Sequence, residues 1–125
     1  MKKEELLNYI KEKYDVNPEY LFSKFPSYFV FRNKKNKKWF AVVMNVANDI
    51  LNIEEKGYTN ILNIKCESFV VEMLLEKKGY FPAYHMDKKN WISVELSENI
   101  DKNEILKLID NSYNLIKGKR DERKY

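Results

Sequence analysis

Between Lys38 and Val46, apolar side chains occupy both alternating registers of the chain. Phe40, Val42, Met44 and Val46 fall on one side of an extended backbone, and Trp39, Ala41, Val43 and Asn45 on the other. A strand with one wet face alternates apolar and polar residues; a strand apolar on both faces has to be covered twice. This stretch is expected to be a central strand, covered on both sides for most of its length.

The remaining pattern says what surrounds it. Leu6, Leu7, Ile10 and Tyr14 recur at helical spacing within Lys3–Tyr14, and Asn17-Pro18 stops that helix. Tyr20–Pro26 reads as an aromatic linker, with Leu21, Phe22 and Phe25 tucked against the core. Tyr28–Arg32 and Lys38–Val46 form a hairpin around an Asn- and Lys-rich turn. Ile50–Ile53 reads as a short edge strand, and Glu54–Thr59, with Gly57, as a turn. Asn60–Cys66 is the next strand, with Leu62, Ile64 and Cys66 on one face and Asn63 and Lys65 on the other. Glu67–Lys78 reads as a helix burying Phe69, Val70, Met73 and Leu74, closed by Gly79 as a left-handed C′ residue. A loop over Tyr80–Asn90 leads to a strand, Trp91–Leu96, with Ile92, Val94 and Leu96 inward. The last helix begins at Asp101, with Glu104 three residues on as in a capping box. Ile105, Leu108, Ile109 and Ile116 form its stripe.

The predicted order is α-β-β-β-β-α-β-α. Short turns between consecutive strands imply antiparallel pairing. The expected fold is α+β, a single antiparallel β-sheet with helices packed mainly on one face. The 125 residues fit one domain over 1–117, followed by a charged tail over 118–125. A single cysteine, Cys66, allows no internal disulfide and fits a reducing cytoplasm. The longest apolar run, Trp39–Met44, is far short of the ~20 residues of a membrane span. A soluble, cytoplasmic monomer without a cofactor is expected.

Charge narrows the chemistry only modestly. The net charge is +4, built from 20 Lys and 3 Arg against 19 acids. That excess permits an anionic partner without requiring one. Five cations crowd the first hairpin turn: Arg32, Lys34, Lys35, Lys37 and Lys38. Such a tip can straddle a phosphate backbone, its ammonium groups replacing counterions. The same lysines also serve as a solvated loop that resists edge aggregation. Lys88, Lys89 and Trp91 place two cations beside an aromatic. If Trp91 shares an open sheet face with Asn63, Lys65 and Ser93, that face suits base stacking or a protein or ligand contact. His85 is the only histidine. With one His and one Cys there is no metal-ligand spacing, and nothing in the sequence orients His85 toward Cys66 as a nucleophile pair. Gly57, Gly79 and Gly118 are isolated, so no phosphate-binding glycine loop exists. The chain is expected not to be an enzyme.

Four blocks resemble one family. Pro82-Ala83-Tyr84-His85-Met86 followed by Lys88-Lys89-Asn90-Trp91-Ile92 is similar to the PAYHMNKxHWI block of the MmcQ/YjbR family. Lys38–Met44 resembles its KWFALVM strand, Ile61–Cys66 its LNLKC strand, and Asn111–Leu115 its SYxLV helix. Asn90 departs from the pattern, where the family often has a second histidine. The resemblance implies a fold like that of the frataxin-like CyaY proteins. It also implies a bacterial DNA-binding protein with a double-wing arrangement. Arg32, Lys34, Lys35, Lys37 and Lys38 would then hold double-stranded DNA at one wing, and His85, Lys88, Lys89 and Trp91 at the other. The frataxin likeness raises iron binding as well, but the first helix mixes Lys2, Lys3, Lys11 and Lys13 with Glu4, Glu5 and Glu12. A hard cation prefers an acidic surface.

Overall fold

A computed structural model describes residues 1–118; the expected charged tail falls almost wholly on 119–125, outside the described residues. The elements in chain order are α1 (Lys3–Tyr14), β1 (Phe29–Arg32), β2 (Trp39–Ala47), β3 (Tyr58–Lys65), α2 (Ser68–Leu74), β4 (Tyr80–Pro82), β5 (Trp91–Glu95) and α3 (Lys102–Ile116). The strands form one antiparallel sheet in the order β1-β2-β3-β5-β4. The fold is α+β. All three helices contribute to a single core on one sheet face, where Leu6 and Ile10 of α1, Val71 of α2, and Ile105 and Ile109 of α3 meet Phe31, Val43, Leu62, Ile64, Ile92 and Val94. Each fully buried Ile or Leu of this set contributes about 1.5–3 kcal/mol.

The order differs from the expected one in two places. Residues 50–53 are not a strand: they turn back on themselves, with Leu51 N–H and Ile53 N–H both donating to Asn48 O. The additional strand lies later, at Tyr80–Pro82, inside the expected loop. It is three residues long and sits on the sheet edge, where Pro82 needs no ladder partner for its nitrogen.

The central strand is covered twice, as its pattern requires, but its alternation is broken. Phe31 pairs with Ala41 and Arg32 with Trp39, so Phe40 is an extra residue on β2. The bulge turns Phe40 and Ala41 to the helix side together. It also moves Trp39 onto the face of Val42 and Met44. The expected pairing of Phe40 with Val42 is therefore corrected by one residue of irregular backbone.

The second face carries its own apolar cluster rather than open solvent. Tyr28, Val30, Val42, Met44, Val46, Leu51 and Ile61 are buried there, with Phe22, Trp39, Ile53, Phe81 and Tyr84 packed against them. Phe22 is tucked in as expected, whereas Leu21 and Phe25 remain about half exposed. α2 is shorter than its sequence pattern and rotated. It buries Val71 and Leu74, leaving Phe69 and Met73 exposed at 62% and 64%. Gly79 has φ +90°, and a Cβ there would meet Ile100 Cδ1 at 2.5 Å. At the start of α3, Asp101 accepts from Asn103 N–H at 3.3 Å. Glu104 does not close a capping box; its carboxylate accepts from Tyr80 Oη at 2.6 Å and pairs with Lys77.

Candidate nucleic-acid interface

Strand register fixes where the two cation-bearing loops lie. Ala41, near the start of β2, pairs with Ile64, near the end of β3, and Lys65 pairs with Trp91, the first residue of β5. The 33–38 turn and the 83–90 loop therefore leave the sheet at the same end. The hairpins they close flank β3, separated by three strand spacings, about 14 Å between hairpin centres. The acid-rich 48–57 connection, with Asp49, Glu54 and Glu55, lies at the opposite end.

Asparagines shape the first loop. Asn33 Oδ1 accepts from Lys35 N–H at 2.8 Å and Asn36 N–H at 3.1 Å. Asn36 Oδ1 accepts from Lys38 N–H at 2.9 Å, and its Nδ2 donates to Ile116 O at 2.7 Å. The tip is thus tied to the end of α3, and its lysines project from a formed turn. Two of its five cations are engaged within the protein. Arg32 grips Glu19 with two nitrogens, Nε to Oε2 at 2.8 Å and the second to Oε1. That hydrogen bonding holds the Glu19 carboxyl below its usual range. Lys34 Nζ lies 2.6 Å from Asp15 Oδ2. Asp15 is lowered to about 2, first by its hydrogen bond with Lys11 and then by Lys34. Lys35, Lys37 and Lys38 are exposed and form no ion pair among the described residues.

The second loop is anchored from beneath. Asn63 and Ser93, opposite each other in the β3–β5 ladder, are both fully buried at 0% exposure. Asn63 Nδ2 donates to Tyr84 O at 2.9 Å, Ser93 Oγ donates to Asn63 Oδ1, and Tyr84 N–H donates to Ser93 Oγ at 3.0 Å. The open polar face expected around Trp91 does not exist: the loop covers it, and Trp91 is half-buried. Lys88 and Lys89 are exposed and without an ion pair among the described residues. Asp87 Oδ1 accepts from Lys89 N–H at 3.1 Å.

His85 is exposed, at φ 60°, with its ring centroid 3.9 Å from that of Tyr84. It does not meet Cys66. Cys66 is buried in the helix-side core, and burial pushes its thiol up to about 12. A thiol so protonated is no nucleophile near neutral pH. Among the described residues no three His, Cys, Asp or Glu side chains converge as metal ligands. No described helix is long and apolar enough to cross a membrane.

His85 instead borders a groove that sequence reasoning did not anticipate. It measures about 250 Å³ and runs over the second sheet face between Phe22, Phe25, Tyr28, Trp39 and Met44, with Met86 beside His85. Phe25 stacks on Tyr28 at 4.7 Å and 8°, and Phe22 meets Trp39 edge-on at 6.1 Å. The available signal was the aromatic density of residues 20–28. What hid the groove was the bulge that brings Trp39 to that side.

Comparisons with known proteins agree along nearly the whole chain. The YjbR family model matches residues 11–115. The Bacillus subtilis strain 168 protein YyaQ, described as uncharacterized, is 37% identical over 115 residues, covering 92% of this chain and 98% of its own. A crystal structure of a protein from Pseudomonas syringae superposes with TM-score 0.91 at 34% identity, covering 94% of this chain and all of that one. A solution NMR structure of a protein from that organism gives TM-score 0.84 at 34% identity, covering 94% of each chain. The crystal structure of a Deinococcus radiodurans protein with a DUF419 domain shares the fold, with TM-score 0.69 at 19% identity over 90% of this chain and 76% of that one. With the family model spanning these residues and the four blocks in matching order, the chain belongs to the YjbR (MmcQ/YjbR) family.

Proposed function

We propose that this protein is a non-enzymatic DNA-binding domain that grips the phosphate backbone of duplex DNA with two loops at one end of its sheet. One observation carries the reading. Lys35, Lys37 and Lys38 in one loop and Lys88 and Lys89 in the other leave the sheet at one end, exposed and unpaired among the described residues. Arg32 is clamped by Glu19, and Lys34 shares the Asp15 carboxylate with Lys11, so those two have a smaller part in holding the ligand. His85 and Trp91 border the second loop and support its contacts.

Ammonium groups on phosphates release counterions, and log K then falls linearly with log salt at about −0.9 per phosphate neutralised. Five lysines engaged together give a slope of about −4 to −5. A salt titration of binding to a mixed-sequence duplex, read by fluorescence anisotropy, tests this. Absence of binding at low salt, or an affinity indifferent to salt, overturns it.

A further inference from the structure

The aromatic groove is not used by phosphate contacts, yet it opens between the same two basic loops. Trp39 follows Lys38 directly, His85 and Met86 lie just before Lys88, and Lys24 sits next to Phe25. Lys24, Lys38 and Lys88 are all exposed and stand within two residues of a groove-lining side chain, so the backbone that carries the apolar, aromatic floor also carries cations near it. That combination suits a planar, uncharged ring carried on an anionic chain. Every base presents a π-face to aromatic side chains while its backbone runs over cations. Size agrees: about 250 Å³ is below the roughly 300–1,000 Å³ of pockets that enclose drug-sized ligands, and suits a single ring system.

We infer that the groove between the 20–28 segment and the 83–90 loop receives one unstacked nucleobase of a single-stranded or locally opened nucleic acid. Trp39 and Phe25 provide the stacking surfaces, and among the described lining residues His85 and Tyr28 add polar atoms beside them. Tyr28 Oη is taken inward, donating to Asn45 O at 3.3 Å. Lys24, Lys38 and Lys88 meet the flanking phosphates. The inference rests on the phosphate-binding reading above and adds to it a preference for exposed bases.

Three ligands of equal length separate the two ideas: an oligothymidylate single strand, the same deoxyribose-phosphate strand without bases, and a duplex. The expected result is that the base-bearing strand binds about tenfold or more tightly than the abasic one. Phe25→Ala removes that difference. Phe25 is 47% exposed, so its truncation leaves the core intact, as circular dichroism will show. A second readout uses the indole. In a Trp91→Phe background Trp39 is the only tryptophan, and its emission is quenched by the base-bearing strand but not by the abasic one. Equal affinity for strands with and without bases, or unquenched Trp39 emission on saturation, overturns the groove while leaving the phosphate reading standing. No binding of any of the three ligands at low salt overturns both.

Discussion

Asn63 joins three parts of the molecule through one side-chain amide: the β3 strand that carries it, Ser93 on β5, and the backbone of Tyr84 in the loop above. Removing it leaves Tyr84 O and Ser93 Oγ buried with a lost partner, at about 1–3 kcal/mol. Asn63→Ala is expected to lower the urea midpoint accordingly, and to increase hydrogen exchange in residues 83–90 more than elsewhere. Uniform exchange across the chain would show that the amide does not position the loop. A polar residue in a strand pattern announces a non-apolar neighbour, not water. That is why Asn63 and Ser93 read as a wet face in sequence and are buried in the fold. Asp110 poses a related case between helices. It accepts from Tyr9 Oη at 2.7 Å and from Lys13 Nζ at 2.8 Å, and also from Tyr14 Oη, tying α1 to α3. Partial burial opposes its ionisation, but the Lys13, Tyr14 and Tyr9 hydrogen bonds outweigh it and lower its pKa. A carboxyl with a depressed folded pKa contributes stability above the unfolded value near 4 and loses it as pH falls through the folded one. Asp110→Asn is therefore expected to be less stable than the parent at pH 7, with the gap narrowing below about pH 4. A gap that stays constant from pH 7 to pH 3 would show that charge plays no part.

At the scale of elements, α2 shows how far a sequence pattern reaches. Phe69, Val70, Val71, Met73, Leu74 and Leu75 are apolar nearly all round, so two overlapping stripes satisfy a helical period equally well. The sheet chooses between them by burying Val71 and Leu74. Leu74→Ala is expected to cost about 2 kcal/mol or somewhat more. Phe69→Ala and Met73→Ala should stay within about 0.5 kcal/mol of the parent. Paired urea denaturation curves decide it; a large loss at Phe69 would return the helix to the rotation its sequence suggested. α1 was more legible. Its apolar spacing and the Asn17-Pro18 stop mark Lys3–Tyr14, and its bounds agree. The β2 bulge had no signature, because Phe40 and Ala41 are both apolar and either register keeps apolar side chains on both faces. Its consequence is nonetheless functional, since it delivers Trp39 to the groove.

At the scale of the whole molecule, the question is whether position or mere charge count governs binding. A generally basic protein would lose affinity on removal of any surface lysine. A protein with one footprint would lose it only at one end of the sheet. Lys56 supplies the control, because it lies in the 48–57 connection among Glu54 and Glu55, at the end opposite the two loops. Replacing Lys35, Lys37 and Lys38 by Ala is expected to shallow the salt slope by about 2.7, and replacing Lys88 and Lys89 by about 1.8. Lys56→Ala should leave the slope unchanged, and Arg32→Ala should reduce stability through its lost Glu19 clamp while moving the slope little. The loops were legible in sequence as two cation clusters. Their sharing of one end was not, because it follows from long-range strand register: Ala41 against Ile64 and Lys65 against Trp91. If Lys56→Ala flattens the slope as much as a substitution in either loop, the footprint is diffuse, and the shared sheet end has no bearing on recognition.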